Sequence, residues 1–134
     1  MKIALAQLNY HIGNFEANEQ KIIDSIKRAK DKNADLIIFA ELAICGYPPR
    51  DFLEFDDFIK HCEESILRIA KQCNDIYAIV GSPTRNFNPK GKRLYNSAQV
   101  LHNGKVVDTI HKNLLPTYDI FDENRYFERG NNPT

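Results

Sequence analysis

The 134 residues carry no excess of either charge: 18 Lys and Arg offset 18 Asp and Glu. Without an overall field, neither nucleic acid nor an anionic membrane is an expected partner. The densest basic cluster, Lys90, Lys92 and Arg93, lies beside Pro89 and Gly91 and reads as a solvated loop. No apolar run is long enough to span a bilayer. The opening Met1–Gln7 has neither the long apolar stretch nor the cleavage site of a signal peptide. Cysteine is scarce. Cys45, Cys62 and Cys73 are odd in number and form no C-x-x-C pair, which fits reduced thiols in a cytoplasmic protein. His11, His61, His102 and His111 show no ligand spacing, so no metal site is expected. Neither G-x-G-x-x-G nor a P-loop occurs, so no ATP site is expected in this segment. Internal repeats and low-complexity tracts are missing as well.

A hydrophobic content of 43% against 27% charged residues is that of a globular domain with one modest core. Residues 2–8 read as a buried strand. Asn14 can cap a helix bearing Ile22, Ile23, Ile26 and Ala29 on one face. After Asp35, residues 36–40 form a continuous apolar run, the pattern of a strand buried on both faces. A loop with Gly46, Pro48 and Pro49 follows. Phe55, Phe58, Ile59, Cys62, Ile66, Ile69, Ala70 and Cys73 recur at helical steps and define a second helix. Residues 76–81 are a third strand and 82–93 a loop. Residues 94–102 and 105–111 flank Asn103-Gly104, a hairpin signal. After Pro116 the chain is irregular or briefly helical. This order implies an α/β domain with a mixed sheet. The turn residues Gly130, Asn131, Asn132 and Pro133 look like an approach to a further strand, so the chain is expected to be a fragment.

Two positions draw chemical interest. Glu41 ends the apolar Leu36–Ala40 run, and ligands collect beyond the carboxyl ends of strands in open α/β sheets. Two roles are open there: a general base, or a carboxylate that binds loop amides. Lys112 follows the hairpin and could stabilise an oxyanion, or could be an exposed strand-end lysine. Its neighbours favour a site: Leu114, Leu115, Pro116 and Tyr118 could exclude water, and Glu123 could hold the ammonium. Cys62 and Cys73 lie on the apolar helix face and read as core. Cys45 follows Glu41, which would raise its pKa, so it is a poor nucleophile. His111 reads as a neighbour of the site.

Met1 to Gln7, Glu41-Leu-Ala-Ile-Cys-Gly-Tyr and Lys112-Asn-Leu-Leu-Pro-Thr-Tyr resemble the nitrilase (carbon–nitrogen hydrolase) superfamily. Gly46-Tyr-Pro-Pro-Arg-Asp51 and Leu115-Pro-Thr-Tyr118, with Phe121-Asp-Glu-Asn-Arg-Tyr-Phe127, resemble the glutaminase domain of the glutamine-dependent NAD synthetase family. The resemblance implies a four-layer α-β-β-α sandwich, of which residues 1–134 are an incomplete N-terminal portion. It implies that Glu41 is the general base, Lys112 the catalytic lysine and Tyr118 a contact to the substrate L-glutamine. Tyr47 and Glu123 would line or brace the same pocket. The family's nucleophilic cysteine would lie beyond Thr134, and this segment is expected to be inactive alone. The full protein would release ammonia from glutamine for NAD synthesis from deamido-NAD. Its own synthetase domain, using ATP and Mg, would lie outside this segment. Homo-oligomers are expected by the same resemblance. A free-standing amidase and a non-catalytic docking module are the competing readings.

Overall fold

The structure is a computed structural model and describes residues 1–119 and 121–132. Strands β1 (Ile3–Leu5), β2 (Leu36–Ile38) and β3 (Tyr77–Arg85) alternate with helices α1 (Phe15–Asp31) and α2 (Asp56–Ala70). The three strands are parallel neighbours, as helical crossovers require. β4 (Leu94–His102) and β5 (Lys105–His111) extend the sheet antiparallel, in the order β1-β2-β3-β4-β5. A short β6 (Phe127–Glu128) runs parallel to β4 beside Leu94 and Tyr95. The hairpin turn holds Asn103 at φ 46° and Gly104 at φ 80°, the positive values that its two residues tolerate.

Local chemistry sets the helices. The Asn14 side chain accepts from the Ala17 amide at 3.2 Å, Glu16 lies in the first turn of α1, and Arg28 and Lys30 lie in its last. α2 has no side-chain cap but starts with Asp56 and Asp57, which complement its dipole. Ile22 and Ile26 of α1 join Ile59, Ile66 and Ile69 of α2 in a core shared with Ile37, Ala78, Val80 and Leu101 of the sheet. Each buried Ile, Leu or Val side chain among them contributes about 2 kcal/mol of burial free energy.

Register separates the two faces of the sheet. Ala4, Ile37, Ala78 and Leu101 are aligned and face the helices. Ile3, Leu36 and Tyr77, then Leu5, Ile38, Ile79 and Val100, align on the other face. That second face is apolar yet open: Leu5 is 73% exposed and Tyr77 45%. The described residues thus hold one mixed sheet and one helical layer.

Several expectations need correction. The first strand is short and half exposed, not a buried run over 2–8, because β1 is the sheet edge. β2 is buried on one face only: Ile37 is covered, while Leu36 and Ile38 lie on the open face. β3 runs on through Pro83 to Arg85, inside the segment read as a loop. The Ile79 and Gly81 carbonyls point away from β4, accepting from Phe39 and Ile44. Pro83 shares their orientation, so its missing N–H falls on the edge that β4 does not use. Phe55 is 62% exposed and precedes α2, and Cys73 lies beyond its end. β6 was not anticipated; two residues carry too little pattern to read.

Candidate active site

Glu41 reaches its position through a sharp turn. Residues 40–42 cross the open face of the sheet directly over Gly81, where a Cβ would run into the backbone of Ala40, Glu41 and Leu42. Leu42 follows in the left-handed region at φ 50° and is fully buried. That conformation costs a β-carbon-bearing residue about 1–2 kcal/mol and is held by its surroundings. The Ile44 amide donates to the Gly81 carbonyl at 3.2 Å. Buried Asn18 of α1 clamps the loop further: its amide donates to the His11 carbonyl at 2.7 Å and the Ile44 carbonyl at 3.3 Å, and its oxygen accepts from the His11 amide at 2.9 Å.

Lys112 is placed by strand pairing. Its amide donates to the Asn96 carbonyl at 2.8 Å, and its carbonyl accepts from the Gly130 amide at 3.0 Å. This continues the β4 edge between β5 and β6. Alternation sends the Lys112 side chain to the open face and its neighbour His111 to the other. There His111 Nδ1 meets the Ser97 hydroxyl at 2.7 Å, and its ring stacks on Tyr95.

The two segments meet. Lys112 Nζ donates to Glu41 Oε1 at 2.7 Å and to Glu123 Oε1 and Oε2 at 3.2 and 3.1 Å. Glu123 sits in a short 3-10 turn (Glu123–Arg125), and its amide donates to the Pro116 carbonyl at 3.2 Å. Only 6% of its side chain is exposed, against 44% for Glu41. The Tyr47 hydroxyl donates to Glu123 Oε1 at 2.9 Å. From β4, the Asn96 amide donates to Glu41 Oε1 at 2.6 Å and, at a longer 3.4 Å, to Glu123 Oε2. Two carboxylates thus share one ammonium, with neutral donors from Tyr47 and Asn96 completing the shell.

Burial opposes the Glu41 charge, but Lys112, through its hydrogen bond and its charge, and then Asn96 outweigh it. The carboxyl is held below the usual glutamate range. Burial also opposes the Lys112 ammonium, and Glu41 and Glu123 reverse that effect and push its pKa up. Burial, then the Glu123 hydrogen bond and charge, drive the Tyr47 phenol well above its ordinary value, so it stays a donor. Glu41 is therefore an ionised base at neutral pH, beside a fully protonated lysine.

A cleft of about 280 Å³ opens above this cluster, with Glu41, Lys112 and Glu123 at its base and Tyr47, Phe121 and Tyr118 along its walls. Phe121 packs edge-on against Tyr118 at 5.7 Å and lies 6.2 Å from Tyr47. Tyr118 stands at the rim, 70% exposed. A larger cavity of about 400 Å³ lies behind Tyr47 and Glu123, toward Arg50 and Arg125, and reaches neither Glu41 nor Lys112.

All five residues singled out from sequence line this cleft, with Glu41, Lys112 and Glu123 in direct contact. Leu115 is buried as a water-excluding neighbour would be, but Leu114 is 83% exposed and excludes nothing. Cys45, Cys62 and Cys73 are fully buried, and none lines the cleft. Sequence reading missed Asn96 and Phe121. For Asn96 a signal existed: a polar side chain within a strand, on the same face as Lys112 across the hairpin.

The family model described as carbon-nitrogen hydrolase matches residues 2–133. Among curated relatives, the glutamine-dependent NAD(+) synthetase of Xanthomonas campestris is 42% identical over 129 residues, 96% of this chain and 23% of that protein. The Aquifex aeolicus protein of the same name is 38% identical, covering 99% of this chain and 23% of its own length. The chain therefore spans less than a quarter of these relatives. A solved glutamine-dependent NAD+ synthetase from Acinetobacter baumannii superposes with a TM-score of 0.88 at 39% identity, over 97% of this chain and 24% of that one. An amidase of the nitrilase superfamily from Nesterenkonia shares the fold, with a TM-score of 0.80 at 24% identity, over 99% of this chain and 49% of that one.

Proposed function

The chain belongs to the carbon–nitrogen hydrolase family, and we propose that it carries the base-and-ammonium half of an amide-hydrolysing centre whose substrate is the side-chain amide of L-glutamine. The observation that carries this reading is the Glu41–Lys112–Glu123 cluster at the base of an open, aromatic-walled cleft. The attacking thiol comes from outside these residues, since the three cysteines here are buried away from the cleft.

The thiol sulfur attacks the carboxamide carbon while its proton passes to Glu41. A C–S bond forms, and the carbonyl oxygen becomes an oxyanion that accepts from Lys112. As the ammonium turns toward that oxygen, Glu41 loses part of its stabilisation and becomes a stronger base when a proton must be held. The proton then passes from Glu41 to the amide nitrogen, the C–N bond breaks and ammonia leaves. Water attacks the thioester, giving one proton to Glu41, and glutamate departs as that proton returns to sulfur. Glu123, braced by Tyr47, keeps Lys112 in place throughout, and Tyr118 contacts the substrate at the rim.

Likeness to the named synthetases supports a destination for the ammonia: amidation of deamido-NAD in a synthetase region outside these residues, where ATP and Mg belong. Among the described residues no group of three or more His, Cys, Asp or Glu is placed to hold a metal ion. No described helix is long and apolar enough to cross a membrane.

Ammonia release from L-glutamine, measured on the protein that carries this chain, tests the reading. Wild type should hydrolyse glutamine, and Glu41→Gln should lose at least about 100-fold. Turnover of other amides with none of glutamine would replace the substrate, and full activity in Glu41→Gln would remove the base.

A further inference from the structure

Glu41 offers two oxygens, and the site treats them differently. Oε1 accepts from Lys112 Nζ at 2.7 Å and from Asn96 Nδ2 at 2.6 Å. Oε2 accepts no hydrogen bond from the described residues. Glu123, by contrast, is engaged on both oxygens, by Tyr47 and Lys112 on one and by Asn96 and Lys112 on the other. A carboxylate oxygen with two short donors has little lone-pair density left for a proton. The oxygen without them is where a proton lands.

We propose that Asn96 is a positioning residue for the reaction: its amide pins Glu41 Oε1 from the strand side and leaves Oε2 as the oxygen that receives and returns the proton. Asn96 suits this role because of where it stands. It is 3% exposed, it occupies the interior strand β4, and its own carbonyl anchors the Lys112 backbone at 2.8 Å. One residue thereby fixes the base through its side chain and the lysine through its main chain. Rigid strand placement also suppresses rotation of the carboxylate, which would exchange the two oxygens and lengthen the proton's path. An asparagine fits where a third carboxylate would not. Its NH₂ donates toward both Glu41 and Glu123 without adding charge to a cluster that already holds two carboxylates and one ammonium.

The inference rests on the amide-hydrolysis reading, and its test separates the two. Asn96→Ala and Asn96→Asp are made in the protein that carries this chain. Each is assayed with glutamine, and the Glu41 carboxyl is titrated by carbon-13 NMR on glutamate-labelled protein, with its resonance assigned by loss in Glu41→Gln. The groups facing Glu41 are Lys112 and Glu123, with Tyr47 behind Glu123 and Tyr118 at the rim. Asn96→Ala removes a donor to the ionised form, so the Glu41 titration should move up. Asn96→Asp adds a like charge and should move it further. In both variants kcat should fall by up to about 100-fold with KM little changed, because the substrate's own contacts remain. The acid limb of the pH–rate profile should follow the NMR titration. A Glu41 titration that stays in place in both variants overturns the inference, whether or not glutamine turns over. So does an unaltered kcat in a folded variant. Should Asn96→Ala fail to fold, Asn96→Ser keeps the small polar volume and is read by the same two measurements. Wild-type protein that hydrolyses no glutamine sinks the functional reading, while the titration still decides whether Asn96 holds Glu41.

Discussion

Glu41 Oε1 and Lys112 Nζ lie 2.7 Å apart although 71 residues separate them in the chain. Neither β2 nor β5 touches the other, since β3 and β4 stand between them. Contact is made because residues 40–42 leave β2 and cross over β3 at Gly81, toward the β4 edge where Lys112 ends the hairpin. The ion pair is therefore a consequence of a crossing, and its vulnerable point is a glycine.

Gly81→Ala should show this. The added methyl meets main chain from Ala40 to Leu42, not a flexible side chain. Relieving that overlap requires the Glu41 turn to lift, at about 1–3 kcal/mol. Thermal melts should report the loss, and amide hydrolysis should fall more than the fraction folded. A variant with wild-type stability and activity would contradict the crossing.

Lys112→Ala should abolish hydrolysis by about 100-fold or more, the usual effect of removing a transition-state donor. It also leaves Glu123, nearly buried, without its cation. The Glu41 pKa should rise in this variant toward ordinary values, because Lys112 supplies the leading contributions that lower it. A pH–rate profile of the residual activity, with its acid limb displaced upward, checks both points.

Glu123→Gln keeps the shape of the side chain but removes the charge that braces Lys112. The Tyr47 hydroxyl retains an acceptor, so the fold should be disturbed little, by about 1 kcal/mol. Lys112 should become less firmly held, and kcat should fall while the melting temperature changes by only a few degrees. Tyr47→Phe should reproduce a weaker form of the same effect. Rates equal to wild type in both variants would separate Glu123 from the chemistry.

The cluster also sets a pH window for stability. Glu41 has a lowered folded pKa, so its contribution is complete above the unfolded value near 4.3 and is lost as pH falls through the folded one. Lys112 has a raised folded pKa, so its contribution is complete below the unfolded value near 10.4 and is lost as pH rises past the folded one. Both side chains are partly solvated, which reduces the size of the effect. Chemical denaturation from acid to alkaline pH should give a plateau between those limits, and the plateau should flatten into the background in the Glu41→Gln, Lys112→Ala double variant.

Much of this arrangement was open to inspection in one dimension. The helical spacing from Phe58 to Ala70, the cap at Asn14 and the Asn103-Gly104 turn are local signals, and each element formed where its signal lay. Glu41, Lys112, Tyr47, Tyr118 and Glu123 stood out because each sits in a motif of residues near it in sequence. Asn96 did not, because its one signal, a polar side chain on the strand face that also carries Lys112, lies across the hairpin and not among its neighbours in Leu94-Tyr95-Asn96-Ser97. Nor did the open apolar face, since a run such as Leu36–Ile38 reads the same whether one side of the sheet is covered or both.

Residue order alone thus settled the two helices, the hairpin turn and which segments carry the ionisable side chains of the site, because backbone propensity and side-chain chemistry act over a few neighbouring positions. The three-dimensional fold settled which oxygen of Glu41 is engaged, how Pro83 stays in a strand, and why Gly81 must lack a side chain. Those outcomes depend on strand order and on one segment crossing another, and such contacts between distant residues leave no periodic trace along the chain.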